Sequence, residues 1–144
     1  MPKVTFYTHV ARPAAFACRL AARAVRESRV LIWSDSLETI MQLDRDLWQP
    51  PEQFLPHEIW QTEDAIPSET PLLLASGIDL PHLPADMTVL NLSPDFWHTA
   101  EPAPARILEI ISDNLEDLAD ARLRFQAYRK HGFDIEHFDM HDKA

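Results

Sequence analysis

The sequence predicts an α/β domain, and three observations predict it. Short runs rich in β-branched and aromatic residues alternate with stretches of helical periodicity, the pattern of strands joined through helices. The 144 residues, 46% hydrophobic and 25% charged, fit one compact unit spanning 1–144. A chain of this length buries about two-thirds of the surface its unfolded form exposes, so it needs neither a disulfide nor a structural metal to fold.

The elements follow in order. Residues 4–8 (Val-Thr-Phe-Tyr-Thr) read as a first strand. Pro13 suits the first position of a helix, where its missing N–H costs nothing. Residues 14–28 then carry Phe16, Leu20, Ala24 and Val25 at helical spacing. Residues 29–33 are a short apolar run of buried-strand character, and Ser34, Asp35 and Ser36 supply N-caps. Leu37, Ile40, Met41, Leu43, Leu47 and Trp48 give a second amphipathic helix, stopped by Pro50 and Pro51. Residues 50–70 are rich in proline and acid and read as an ordered loop. Residues 72–75, 88–92 and 106–111 complete a set of five strands. Asp113 and Glu116 form an acidic capping box for a last helix, which runs to about His131 with Gly132 as C-cap. Connections after the second helix are too short and proline-broken for regular crossover helices, which leaves that part of the sheet open to an irregular or mixed arrangement.

Composition excludes several classes. Two glycines against twelve prolines disfavour glycine-rich phosphate loops, and neither G-x-G-x-x-G, a Walker loop nor G-x-S-x-G occurs. No cofactor and no catalytic residue are therefore expected. Cys18 is the single cysteine, which excludes an internal disulfide and a multi-cysteine zinc site and fits a reducing, cytoplasmic setting. Arg12, Arg19 and Arg23 interrupt the one candidate signal-like stretch, and no apolar run is long enough for a membrane span. The net charge of −10 argues against broad nucleic-acid binding. It hides a partition: residues 1–30 carry +5, residues 31–105 carry −12 and residues 106–144 carry −3. Arg122, Arg124, Arg129 and Lys130 make the last helix locally basic.

Most candidate constellations have a plain structural reading. His57-Glu58-Ile59-Trp60-Gln61 begins like H-E-x-x-H but has Gln61 where the second ligand must sit. His137 and His141, near Asp139 and Asp142, could chelate a metal if helical, but read as a solvated polar tail; no metal site is expected. Cys18 reads as a structural thiol. Two features survive. Trp48, Pro51, Phe54, Leu55, Pro56 and His57 follow the second helix, and such a loop either plugs the core or forms an interface. Periodicity alone favours the plug. Arg122, Phe125 and Arg129 fall on one helical stripe, suited either to solvent or to an acidic, aromatic-containing peptide.

With Thr5-Phe6-Tyr7, Arg29-Val30-Leu31-Ile32 and the ending Ala127-Tyr128-Arg129 … Gly132-Phe133, these two features make nearly the whole chain resemble the chi subunit family of bacterial DNA polymerase III. The resemblance implies a Rossmann-like three-layer α/β fold, with a mostly parallel central sheet of about five strands flanked by helices and no nucleotide-binding activity. It implies a non-catalytic accessory subunit that bridges two partners during replication. A psi-type clamp-loader subunit would meet Trp48, Pro51, Phe54 and Leu55, a surface for which a Rad3-like helicase competes in some bacteria. The acidic C-terminal tail of single-stranded DNA-binding protein would meet Arg122, Phe125, Arg124 and Arg129. Lysines of the family's tail site are matched here by Leu118 and Gln126, and Phe125 replaces a tyrosine. Direct DNA contact should be weak, because stacking aromatics and a continuous basic groove are not evident. The rival reading is a small α/β nucleotide-binding protein or enzyme using His9, Asp35 and Asp79 near strand ends.

Overall fold

Seven parallel strands form one open sheet in the computed structural model, which describes residues 2–48 and 55–141. In chain order the elements are β1 (Lys3–Val10), α1 (Pro13–Ala24), β2 (Val30–Ser34), α2 (Leu37–Leu47), β3 (His57–Ile59), β4 (Leu72–Ser76), β5 (Thr88–Asn91), a 3-10 turn (Trp97–Thr99), β6 (Arg106–Ser112), α3 (Leu115–Lys130) and β7 (Asp134–Asp139). Across the sheet the strands lie β3-β4-β2-β5-β6-β1-β7. None of the described helices is long and apolar enough to cross a membrane.

The topology follows from one rule. From β1 the chain steps through α1 to β2 and through α2 to β3, with both helices packed on one face. It then returns through β4, β5 and β6 to β7, with its connections and α3 on the other face. Reversing direction and changing face together keep a single crossover hand, as parallel connections require. The expected class is thus met, with seven strands instead of five. The mixed arrangement left open for the later strands is not what forms: every strand pair is parallel.

The proline-broken connections still cover their face because they carry large apolar residues inward. Trp60, Leu83, Met87 and Trp97 are all buried there, against Leu31, Trp33, Leu73 and Val89 of the sheet. Gly77 packs closely here: a Cβ at this position would stand 3.1 Å from the Trp33 ring, which would have to shift by a few tenths of an ångström.

Local chemistry sets the helix ends. Pro13 opens α1 as expected, but the helix stops at Ala24 and residues 25–27 continue as turns. The Ser36 hydroxyl caps α2 by accepting from the Thr39 amide at 3.2 Å. The expected Asp113–Glu116 box does not cap α3. Asn114 takes that place, its side-chain oxygen accepting from the amides of Glu116 (2.8 Å) and Asp117 (3.3 Å). Gly132, at φ +80°, ends α3 in a Schellman turn: the Gly132 amide donates to the Arg129 carbonyl and the Phe133 amide to that of Tyr128. Phe133 completes the motif by packing on the Tyr128 ring, centroids 5.0 Å apart.

Two further expectations are corrected. The stretch 50–70, read as loop, contains β3, which pairs with β4 from His57↔Leu72 to Ile59↔Leu74. The C-terminal segment, read as a solvated tail, is edge strand β7, paired with β1 from Lys3↔Asp134 to Thr8↔Asp139. Pro50, Pro51 and Phe54 lie outside the described residues.

Candidate functional site

β7 makes possible a groove that the last helix alone could not form. Phe6, Thr8 and His9 of β1, His137 of β7, and Leu118, Ala121, Arg122 and Phe125 of α3 line a mostly apolar groove of about 450 Å³. Phe125 is half-buried and packs on Phe6, ring centroids 5.5 Å apart. Arg122 is exposed, so the groove combines an aromatic floor with a cation. His137 Nε2 and the Thr8 hydroxyl lie 2.7 Å apart and tie its β1 and β7 side together. Phe6, Thr8 and His137 were beyond the reach of a reading that left 134–139 unpaired. In the structure Ile135 and His137 stand in register with Val4 and Phe6, a pairing that local sequence pattern does not reveal.

Arg129, predicted with Arg122 and Phe125, is exposed on the last turn and does not line the groove. Arg124 is placed elsewhere altogether. It is only 4% exposed and faces inward to Glu109, which is fully buried. Arg124 donates to Glu109 Oε1 from Nε at 3.1 Å, and its Nη2 stands 3.0 Å from the same oxygen as an ion pair. Tyr128 donates to Oε2 at 2.6 Å, and Asn91 Nδ2 lies 3.0 Å from both oxygens. A buried carboxylate needs such partners, and this cation cannot also serve a ligand at the surface. Burial pushes the Tyr128 phenol well above its usual pKa, and the Glu109 carboxylate adds to the rise. The phenol therefore stays protonated and remains a donor.

At the other surface, Trp48 is 57% exposed at the end of α2, which overturns the core-plug reading for this residue. Its ring stands edge-on to His57, centroids 5.4 Å apart. The His57 side chain is fully enclosed, with Nε2 3.0 Å from Asp44 and Nδ1 2.6 Å from the Leu55 carbonyl. His57 thus belongs to a pinned junction between α2 and β3, and not to a metal-binding helix. Leu55 is half-buried against the α1–α2 core. Cys18 is also half-buried; burial, then the Asp46 charge, pushes its thiol up to about 11, which leaves little thiolate at neutral pH.

A second hollow, about 330 Å³, opens at the C-terminal ends of β2, β5 and β6, where a nucleotide would sit in a doubly wound sheet. Asp35, Glu116, Asp117 and Asp120 line it, and its one cation, Arg124, already serves Glu109. The cap of α3 is filled by Asn114 and its first turn is acidic. This lining repels phosphate.

Fold and grooves define an all-parallel, doubly wound α/β domain whose switch-point hollow has the wrong charge for a nucleotide. The family model for the DNA polymerase III chi subunit, HolC, matches residues 1–136, and the chain belongs to that family. It is thereby an accessory subunit of the replicative polymerase. No curated protein matches the chain.

Proposed function

We propose that this chi subunit bridges a psi-type clamp-loader subunit and the acidic, aromatic-ended C-terminal tail of single-stranded DNA-binding protein, in the cytoplasm and without catalysing a reaction itself. The carrying observation is the groove between α3, β1 and β7, where Phe125 and Phe6 offer a floor for an aromatic residue and Arg122 a charge-assisted partner for a carboxylate. Leu118 stands on the same wall. With apolar surface where the family has a lysine, the reading places more weight on Arg122.

Calorimetric titration with a peptide ending in such a tail is the test. Arg122→Ala is expected to lose about 1–3 kcal/mol, roughly 5- to 150-fold in affinity, and the wild-type affinity to fall as salt rises, because exposed charges are screened. Unchanged affinity in Arg122→Ala rejects the site.

The psi-type interface rests on Trp48, an exposed aromatic mounted on an enclosed histidine, beside Leu55, with Pro51 and Phe54 as its sequence neighbours. An exposed tryptophan is the kind of residue that dominates interfaces. Trp48→Ala should leave the fold and tail binding intact and abolish pull-down of a psi-type subunit. Retained pull-down sinks this assignment. A Rad3-like helicase would compete for the same surface.

A further inference from the structure

Three side chains of metal-ligating type converge at the C-terminal ends of β1, β6 and β7. One ligand atom from each of His9, Asp113 and His141 lies within 4.8 Å of the other two. The backbone brings them there. His9 adopts φ 55°, a conformation rare for a residue with a side chain, and the β1–β6 register slips between Tyr7 and Val10. This leaves His9 Nδ1 2.9 Å from the Asp113 carboxylate. On the other side, the Met140 amide donates to the Thr8 carbonyl at 2.8 Å and the His141 amide to Asp139 Oδ1 at 2.9 Å. Those bonds carry the chain past β7 and set the His141 ring 6.0 Å from that of His9, nearly perpendicular.

We propose that His9, Asp113 and His141 bind a divalent transition-metal ion of the zinc class. Two imidazoles with one carboxylate suit Zn²⁺, Co²⁺ or Ni²⁺, whereas Mg²⁺ and Ca²⁺ prefer all-oxygen sets. Zinc bonds of about 2.0–2.2 Å place tetrahedral ligands roughly 3.3 Å apart. The present spacing needs only modest rotation of Asp113 and His141, both exposed. Three protein ligands leave a fourth position open. His9 also lines the groove, so the ion sits at that end of it and adds positive charge near Arg122. This last consequence, zinc-strengthened capture of an acidic peptide, rests on the tail-binding reading; the metal site does not.

Titrating the tag-free chain with Zn²⁺ should give one site per chain, and Co²⁺ should develop visible absorption bands of a low-coordinate site. His141→Ala and Asp113→Asn should each weaken Zn²⁺ binding at least tenfold with unchanged circular dichroism. His137→Ala, whose ring is engaged with Thr8, should keep it. Equal Zn²⁺ affinity in wild type and both ligand variants overturns the site. In a second arm, Zn²⁺ should raise the affinity of the acidic, aromatic-ended peptide for wild type and leave His141→Ala unaffected. Zinc binding without peptide binding upholds the metal site and rejects the tail reading; peptide binding without a zinc site does the reverse. Binding of both with no coupling rejects the link between them.

Discussion

Replacing Arg124 with alanine is expected to lower the unfolding free energy by about 3–5 kcal/mol, the usual consequence of leaving a buried charge without its partner. Glu109 is fully buried and Arg124 is the cation in its shell. Without the guanidinium the carboxylate retains only neutral donors, Tyr128 and Asn91. Its buried charge is then left without a compensating cation. The network joins β5, β6 and α3, so the loss is felt as loosening of α3 against the sheet. The pair is not indispensable, because apolar residues of similar volume often replace a buried ion pair without loss. Arg124→Met with Glu109→Leu should therefore recover much of the stability that Arg124→Ala loses. Urea unfolding of the three variants measures both effects. If Arg124→Ala unfolds within about 1 kcal/mol of wild type, well short of that cost, yet loses peptide binding, Arg124 belongs to the surface site after all.

The misreading of Arg124 shows where sequence pattern stops being informative. Ala121, Arg124 and Tyr128 are the buried residues of α3, a face with one small residue, one charge and one phenol. Hydropathy cannot recognise such a face as inward, because what makes Arg124 inward is Glu109, fifteen positions earlier in β6. The helical stripe of Arg122 and Phe125 does flank the buried one, and both side chains line the groove. The walls opposite them were not legible. β7 reads Asp-Ile-Glu-His-Phe-Asp, polar at four of six positions, and lies at a sheet edge, where charge discourages pairing with other chains. Asp113 was read as a cap, but its carboxylate meets His9 across 104 positions. The regular elements were legible for the opposite reason. β2 and β4 are nearly continuous apolar runs because both their faces are covered, and α2 carries a clean apolar stripe.

Trp97→Ala is expected to cost about 3–5 kcal/mol as well, by opening a cavity that its surroundings cannot close. Trp97 is fully buried and meets Trp33 edge-on, centroids 5.8 Å apart, while Trp33 Nε1 donates to Asp95 at 2.7 Å. These contacts hold the 92–105 connection on the sheet, where a crossover helix would otherwise supply the cover. The neighbouring His98 ring lies 5.9 Å from that of Tyr128 and 4.3 Å from that of His131, so the same turn buttresses α3 on the side away from the groove. A helix could slide or repack over a small void. A proline-bounded turn built around one tryptophan has no register to shift, so the lost volume remains as a cavity. Trp97→Phe should cost much less than Trp97→Ala, since an aromatic ring still fills most of the space. In both variants the folded fraction should bind the acidic peptide as wild type does, because Phe6, Arg122 and Phe125 lie across α3 from the change. Denaturant titration separates the stability effect from the binding effect. A loss below about 1 kcal/mol in Trp97→Ala would mean that this face is not packed to the density cavity energetics assume.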